Sequence, residues 1–329
     1  MTEGEVPFLS VVILTFNGET YLRQILHSLR DQDVDGELEV IVIDSGSVDA
    51  TLAIVADFPE VRLVQIPNSE FGHGKTRNLG ARLARGSFVA FLTHDAIPLN
   101  RNWARELIAP FALSEDLVAV LGRQVPRKDC FPLLKYEIND VFQALGNSLG
   151  VTVYELKAEE RNNEGIVAAK AFYSDVNSAA RREFLTEVIP YQDVNYAEDQ
   201  LFGRDLLLAG FKKAYAPEAA VEHSNDLTLG EYGPRIFDET CALREIGRTS
   251  QPLGLPARSR LVVFGVLRDA WRILRDPAYS RRRKLYWLFM NPAYHLRKWS
   301  YFNKAAKQDL SDERRNRHSL EERKKGAVR

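Results

Sequence analysis

The sequence predicts an α/β protein: a doubly wound, mostly parallel sheet with flanking helices, followed by a basic amphipathic helical tail. Three observations carry this prediction. Apolar β-branched runs alternate with stretches of helical periodicity, polar residues gather where those runs end, and the charge changes sign near residue 255.

FLSVVILTF (8–16) has no polar face before Thr15, as expected of a strand buried on both sides of a parallel sheet. ETYLRQILHSLRDQ then places Tyr21, Leu22, Ile25, Leu26 and Leu29 at helical spacing. LEVIVIDSGSVD repeats the strand and leads into the helical TLAIVADF. VRLVQIPN with KTRNLGARLAR, and then SFVAFLTHDA, supply a third and a fourth unit. Ligands of such sheets bind beyond the carboxyl ends of the strands, which singles out Thr15 to Glu19, Asp44 to Asp49, Asn68 to Asn78 and Thr93 to Pro98. Past residue 115 the alternation loosens into VAVLGRQVP, the apolar-aromatic FPLLKYEINDVFQALG, a strand-like IVAAKAFYSDV and a helix around EDQLFGRDLLLAG. A stretch dominated by charge, from about Ser311, reads as a frayed helix or as disordered.

A chain of 329 residues that is 45% hydrophobic, with 44 Lys and Arg against 45 Asp and Glu, excludes a disordered protein, and its two cysteines, Cys130 and Cys241, exclude a disulfide scaffold. Two distant cysteines suit a reducing compartment. No run reaches the roughly 18 to 20 apolar residues of a membrane span, and MTEGEVPFLS has no basic segment ahead of an apolar one, so cytoplasmic residence is expected.

The near-neutral total hides two electrostatic parts. Residues 256–329 hold 20 Lys and Arg against 7 Asp and Glu, which leaves residues 1–255 acidic. QPLGLPARS (251–259), with two prolines and a glycine, marks the boundary. Beyond it, RSRLVVFGVLRDAWRILRD aligns Leu261, Phe264, Leu267, Trp271 and Leu274 on one stripe and Arg268, Arg272 and Arg275 on another. RRRKLYWLFMNPAYHLRKWSYF mixes cations with Tyr286, Trp287, Tyr294, Trp299 and Tyr301 and is cut by Pro292. Cations and aromatics together suit an anionic membrane surface. Packing of the stripe on the body of the protein, or on a second copy in a homo-oligomer, stays equally open. No nucleic-acid motif accompanies the charge, so a nucleic-acid partner is not expected.

Four segments carry candidate chemistry, and each also has an ordinary structural reading. Asp95, just past a buried strand, offers a hard oxygen to magnesium or manganese, or caps a turn. Glu198 and Asp199 open a helix, where acids oppose the dipole or where one serves as general base. His223, after the apolar AAV, is a metal ligand or a hydrogen-bonded structural residue. In EFGHGKTRNLGA, Lys75 and Arg77 enter a helix whose N-terminal amides favour an anion, or are solvated first-turn residues. Neither GxGxxG nor GxxxxGK[ST] occurs, so dinucleotide and P-loop readings lose their main support.

Taken together these segments resemble the family 2 glycosyltransferases, which use the A-type nucleotide-sugar (GT-A) fold, over roughly residues 8–246. SVVILTFNGETYL looks like the family's first strand and donor-binding turn, and VIVIDSGSVDAT like the second strand, where an Asp reads the nucleotide base. LTHDAIP stands in the place of the DxD metal motif, AEDQLF in that of the ED motif, and VEHS in that of a late metal-side His. FGHGKTRNLGA with LTHDA is similar to the rhamnosyltransferase branch, in which F-x-H-G-x-x-R-N and T-x-D-A recur.

The resemblance implies a catalytic domain over 1–255, with a nucleotide-binding half at about 8–115 and an acceptor-binding half at about 116–255, ahead of the tail at 256–329. Asp95 would bind the divalent ion, magnesium or manganese, on the donor diphosphate, with His223 on the metal side. Thr93 replaces the first acid of DxD on the donor side. Asp199 would be the catalytic base; Asp44 with Thr15, Asn17 and Glu19 would form the nucleotide pocket, and Lys75 and Arg77 would meet base or phosphate. Glu198, His73 and Asn78 would support them. The implied reaction is inverting transfer of L-rhamnose from dTDP-β-L-rhamnose to a hydroxyl of a lipid-linked surface polysaccharide, at the inner face of the cell membrane. A UDP-hexose or UDP-N-acetylhexosamine donor, or a non-catalytic nucleotide-sugar-binding subunit, remains the alternative.

Overall fold

Nine strands form one sheet among the residues that the computed structural model describes, which are 8–147, 150–194, 196–248, 250–310 and 317–320. The alternation read from the sequence gives β1 (Leu9–Thr15), α1 (Leu22–Arg30), β2 (Leu38–Asp44), α2 (Thr51–Ala56), β3 (Arg62–Gln65), α3 (His73–Leu83) and β4 (Phe88–Thr93). A short β5 (Ile97–Pro98), α4 (Trp103–Ile108), β6 (Leu117–Val125), α5 (Pro132–Ala144), β7 (Thr152–Tyr154) and α6 (Glu164–Ala171) follow. The chain then adds β8 (Asn177–Arg181), α7 (Glu198–Leu208), β9 (Lys212–Glu222), α8 (Leu229–Glu245), α9 (Leu255–Arg275) and α10 (Arg281–Lys307).

The strands lie in the order β3-β2-β1-β4-β8-β6-β9-β5, with β7 also on β9. β3, β2, β1 and β4 are parallel, as predicted, whereas β8 runs antiparallel between β4 and β6, and β5 and β7 run antiparallel to β9. The whole sheet is therefore mixed. This matters for the site because Leu92 near the end of β4 pairs with Asn177 at the start of β8. The residues leading into β8 are thus delivered to the edge at which β1, β2 and β4 end.

Apolar side chains fill one face of β1, where Val11 and Ile13 pack with Leu22, Ile25, Leu26 and Leu29 of α1. The other face takes α3. Gly80 sits so close to Val12 that a Cβ there would lie 2.5 Å from a Val12 methyl. Helices on both faces are what a parallel strand buried on both sides requires.

Two expectations are corrected. IVAAKAFYSDV is not a strand: α6 covers its first part because the Asn163 side chain accepts from the Gly165 and Ile166 amides as an N-cap, and the strand begins only at Asn177. Pro292 does not cut the tail helix, for α10 runs through it over 27 residues.

The chain divides into two compact units. One takes in the residues up to Pro126 with Asn139–Ser224 and contains the sheet; the other takes in Arg127–Ile138 and everything from Asn225 onward. The division falls earlier than QPLGLPARS, which instead leads into α9, with Pro256 in its first turn. The second unit has its own aromatic core, in which Phe131 stacks on Tyr294 at 4.4 Å between ring centroids and meets Tyr232 edge-on at 4.9 Å. No described helix is long and apolar enough to cross a membrane. Most of the charged end predicted from Ser311 lies outside the described residues.

In β6 a Cβ on Gly122 would come within 2.2 Å of the Ala219 carbonyl oxygen and 2.3 Å of the Asn177 side-chain nitrogen. Gly122→Ala should therefore lower the urea unfolding free energy by about 1–3 kcal/mol. An unchanged midpoint would mean that β6 and β9 separate at no cost.

Candidate active site

The turns after β1 and β2 are stapled to each other. The Asn17 amide donates to Ser47 Oγ (2.8 Å), Asn17 Oδ1 accepts from the Val48 amide (2.9 Å), and Glu19 Oε2 accepts from the Ala50 amide (2.9 Å). Asn17 holds a left-handed φ of 51°, an unusual conformation for a residue other than glycine. Asp44 is fully buried: its carboxylate accepts from the Gly46 and Ser47 amides, both at 3.0 Å, and from Thr15 Oγ1 at 3.1 Å. The residues assigned to a nucleotide pocket thus meet at one place. Within it Asp44, Thr15, Asn17 and Glu19 spend these groups on shaping the paired turns, which leaves the backbone and the outward faces of the turns for a ligand.

Beyond β4 and β9 the structure pairs Asp95 with His223, Oδ2 to Nε2 at 3.3 Å. His223 Nδ1 faces Gln124 Oε1 at 3.0 Å, while Gln124 Nε2 donates to Ser174 Oγ at 3.1 Å. The amide of Gln124 thus orients the ring from behind and directs Nε2 at the carboxylate. Burial opposes charge on Asp95, but the adjacent His223 outweighs it and holds the carboxyl well below its ordinary value.

A carboxylate and an imidazole oriented from behind by an amide are a chemically suitable pair of ligands for a divalent ion. Among the described residues no three His, Cys, Asp or Glu side chains converge in this way, so substrate phosphates and water would complete the shell. Thr93, at the end of β4, contributes no carboxylate.

The third group is buried. Arg77 of α3, 6% exposed, forms ion pairs with Glu198 and, at 3.1 Å, with Asp175. Its guanidinium lies 6.0 Å from the ring centroids of both Phe91 and Tyr191. Where the sequence suggested a base or phosphate contact, this side chain is enclosed by two carboxylates. Burial works against its charge, and Asp175 and Glu198 reverse the balance, raising its pKa.

Asp175 Oδ1 also accepts from Ser178 Oγ (2.6 Å) and the Tyr191 hydroxyl (2.9 Å), and its amide donates to Asp199 Oδ2 at 3.3 Å. Asn78 fixes the same loop by exchanging two hydrogen bonds, of 2.8 and 2.9 Å, with the Tyr191 backbone. Lys75 is exposed on α3, and His73 meets Phe71 edge-on at 5.0 Å.

Asp199 is half-buried in the first turn of α7, directly after Ala197, which caps the helix with φ 62°. Burial and then the charges of Glu198 and Asp175 push its pKa well above the usual carboxylate range, and Asp175 is raised too, chiefly by burial. Two carboxylates already pair with the one guanidinium and Asp199 adds a third carboxyl beside them, so burial and like charge favour its protonated form.

Asp175, Gln124, Ser178 and Tyr191 were not singled out in the sequence. The only signal was the polar YSD that ends the misassigned strand segment, since their roles depend on antiparallel placement of β8.

The family model for glycosyl transferase family 2 matches residues 10–188. The O-antigen chain rhamnosyltransferase RfbN of Salmonella typhimurium is 31% identical over 233 residues, 70% of this chain and 70% of that one. WbaN of Salmonella anatum, also an O-antigen chain rhamnosyltransferase, is 31% identical over 236 residues, 71% of each. Among solved structures, the mannosyltransferase PcManGT of Pyrobaculum calidifontis, in complex with GDP-Man and Mn2+, aligns over 94% of this chain and 88% of its own at a TM-score of 0.57 and 18% identity. S. aureus TarS 1–349 aligns over 91% and 90%, at 0.51 and 20%.

Arg77→Leu would leave the carboxyl cluster without its cation and should cost about 3–5 kcal/mol of stability near pH 7.5. Without Arg77 the pKa values of Asp175 and Asp199 rise further. Acidification then neutralises the groups, and the deficit against wild type should shrink in urea melts taken towards about pH 5. A deficit independent of pH would show that the cluster is not charged.

Proposed function

The chain belongs to glycosyl transferase family 2 and is a glycosyltransferase; from that premise we propose that it moves L-rhamnose from dTDP-β-L-rhamnose to a hydroxyl of a lipid-linked surface polysaccharide, with inversion. Similarity to two rhamnosyltransferases over about 70% of the chain supports the sugar. The observation that carries the mechanism is that polar contacts run from Asp95 through His223 and Gln124 to Ser174, and that the backbone amide of the next residue, Asp175, donates to Asp199. It ties the donor side of the site to the base.

Asp199 takes the proton of the acceptor hydroxyl while that oxygen attacks the anomeric carbon from the face opposite the nucleotide. The bond to the donor diphosphate breaks, and the nucleoside diphosphate leaves with the electron pair. A base works best when its pKa lies near the operating pH, and the raised value of Asp199 moves a carboxylate in that direction. Asp175 and Glu198 hold it there, and Arg77 keeps those two in place. Asp95 and His223 would hold a magnesium or manganese ion, which supplies positive charge to the departing diphosphate. The paired turns at Asn17 and Ser47 would seat the nucleotide.

Asp199→Asn should reduce transfer at least about a thousandfold, consistent with loss of a general base together with its charge, while donor binding persists. The same change removes a carboxyl whose folded-state pKa is raised, and so whose ionisation opposes folding above ordinary carboxylate pH. Its Tm at neutral pH should therefore exceed the wild-type value by about 2 °C or more. Transfer surviving in this variant would remove the base assignment. Thermal shifts with dTDP, UDP, GDP and their sugars, with and without magnesium, identify the donor by mass action. Metal-dependent stabilisation by dTDP-rhamnose, weakened in Asp95→Ala, is expected. Preference for a UDP-sugar would replace the donor, and silence with every nucleotide would remove the donor assignment.

A further inference from the structure

We infer that the outward face of α9, together with the N-terminal half of α10, docks on an anionic lipid bilayer. On α9, Val263, Phe264, Leu267, Trp271 and Leu274 are each more than half exposed. They lie opposite the buried residues of the same helix, Gly265, Asp269 and Ile273. On α10, Leu285 and Phe289 are likewise exposed, Phe289 at 82%, on the side away from buried Trp287, Asn291 and Tyr294. A helix stripe this apolar and this open to water marks a binding surface.

The charge around the stripe selects the occupant. Residues 255–307 carry thirteen Lys and Arg against two acids, Asp269 and Asp276. Both acids are turned inward: Asp269 is fully buried against Arg268 and His295, and Asp276 pairs with Lys135 at 2.6 Å. Arg260, Arg281 and Arg282 are exposed, and the guanidinium of Arg275 lies 3.9 Å from the centre of the Trp271 ring.

A second copy of the same face would bring like charges together. A bilayer of anionic lipid answers both features at once, since its phosphates attract the cations and its acyl region receives Phe264, Leu267 and Trp271. Neither helix is apolar enough to span, so the protein would lie on the surface. This inference rests on α9 and α10 alone and holds whatever the donor sugar.

The test is flotation of the full chain with phosphatidylcholine vesicles, with and without phosphatidylglycerol. Wild type should float only with phosphatidylglycerol present, and the bound fraction should fall as salt rises. The triple variant Phe264→Ser, Leu267→Ser, Trp271→Ser should lose binding at least about tenfold, because burial of the three side chains supplies the apolar share of the attachment. Its nucleotide thermal shift should remain that of wild type, which separates lost docking from lost fold. Arg260→Gln with Arg281→Gln and Arg282→Gln should weaken binding and flatten its salt dependence.

Absence of flotation by wild type, or equal flotation by the serine variant, would overturn the inference. So would a concentration-dependent dimer, seen by sedimentation velocity without vesicle binding and abolished by the serine variant, which would assign the face to a second copy. Binding competed away by inorganic phosphate at matched ionic strength would reduce it to an anion site.

Discussion

A single buried guanidinium, that of Arg77, holds together the edge of the sheet that carries the candidate site. It is enclosed by Asp175 from the approach to β8 and Glu198 from α7, so one charge on α3 fixes two segments far away in sequence. An unpaired charge at that depth would be expensive, and neither carboxylate could stay buried beside the other without it. The cluster is also unbalanced. Three acids and one base leave Asp199 surrounded by like charge, so the ion pair that stabilises the local fold also sets the proton affinity of the side chain beside it.

Backbone geometry carries part of the same arrangement. Ala197 and Asn17 are the non-glycine residues described at positive φ, one immediately before Glu198 and Asp199, the other in the turn after β1. Each conformation costs about 1 kcal/mol or more and persists only where surrounding contacts over-determine it. Asn17 is held by Ser47 and Val48, whereas Ala197 is followed by a helix whose first two residues are engaged by Arg77 and Asp175. Cost concentrated at these two points gives turns that are preformed before any ligand arrives.

Much of this organisation was legible in the sequence because it follows from local rules. The β1 and β2 runs, the α1 stripe from Leu22 to Leu29, and the polar residues ending each strand require only periodicity and burial. The order of LTHDA, AEDQL and VEHS carried the family and the contact between Asp95 and His223. What stayed hidden depends on long-range placement. Antiparallel β8 brings Asp175 beside Asp199, and no spacing between residues 77, 175 and 198 announces a shared ion cluster. The sequence suggests a base or phosphate contact for Arg77, or an ordinary solvated first-turn cation, and only tertiary packing encloses it between two carboxylates. The α6 segment was misread because isolated Ile166 and Val167 resemble a strand start, while the deciding signal was the Asn163 cap.

Retention of the Asp199 proton to an unusually high pH is what this cluster should produce. It is tested most directly by carbon-13 NMR of the protein labelled at its aspartate carboxyl groups, titrated alongside Asp199→Asn and Asp175→Asn. A carboxyl step well above the ordinary value of about 4 is expected, absent in the first variant and shifted down in the second. Completion of every aspartate titration by about pH 5, with no step removed by Asp199→Asn above that, would contradict it.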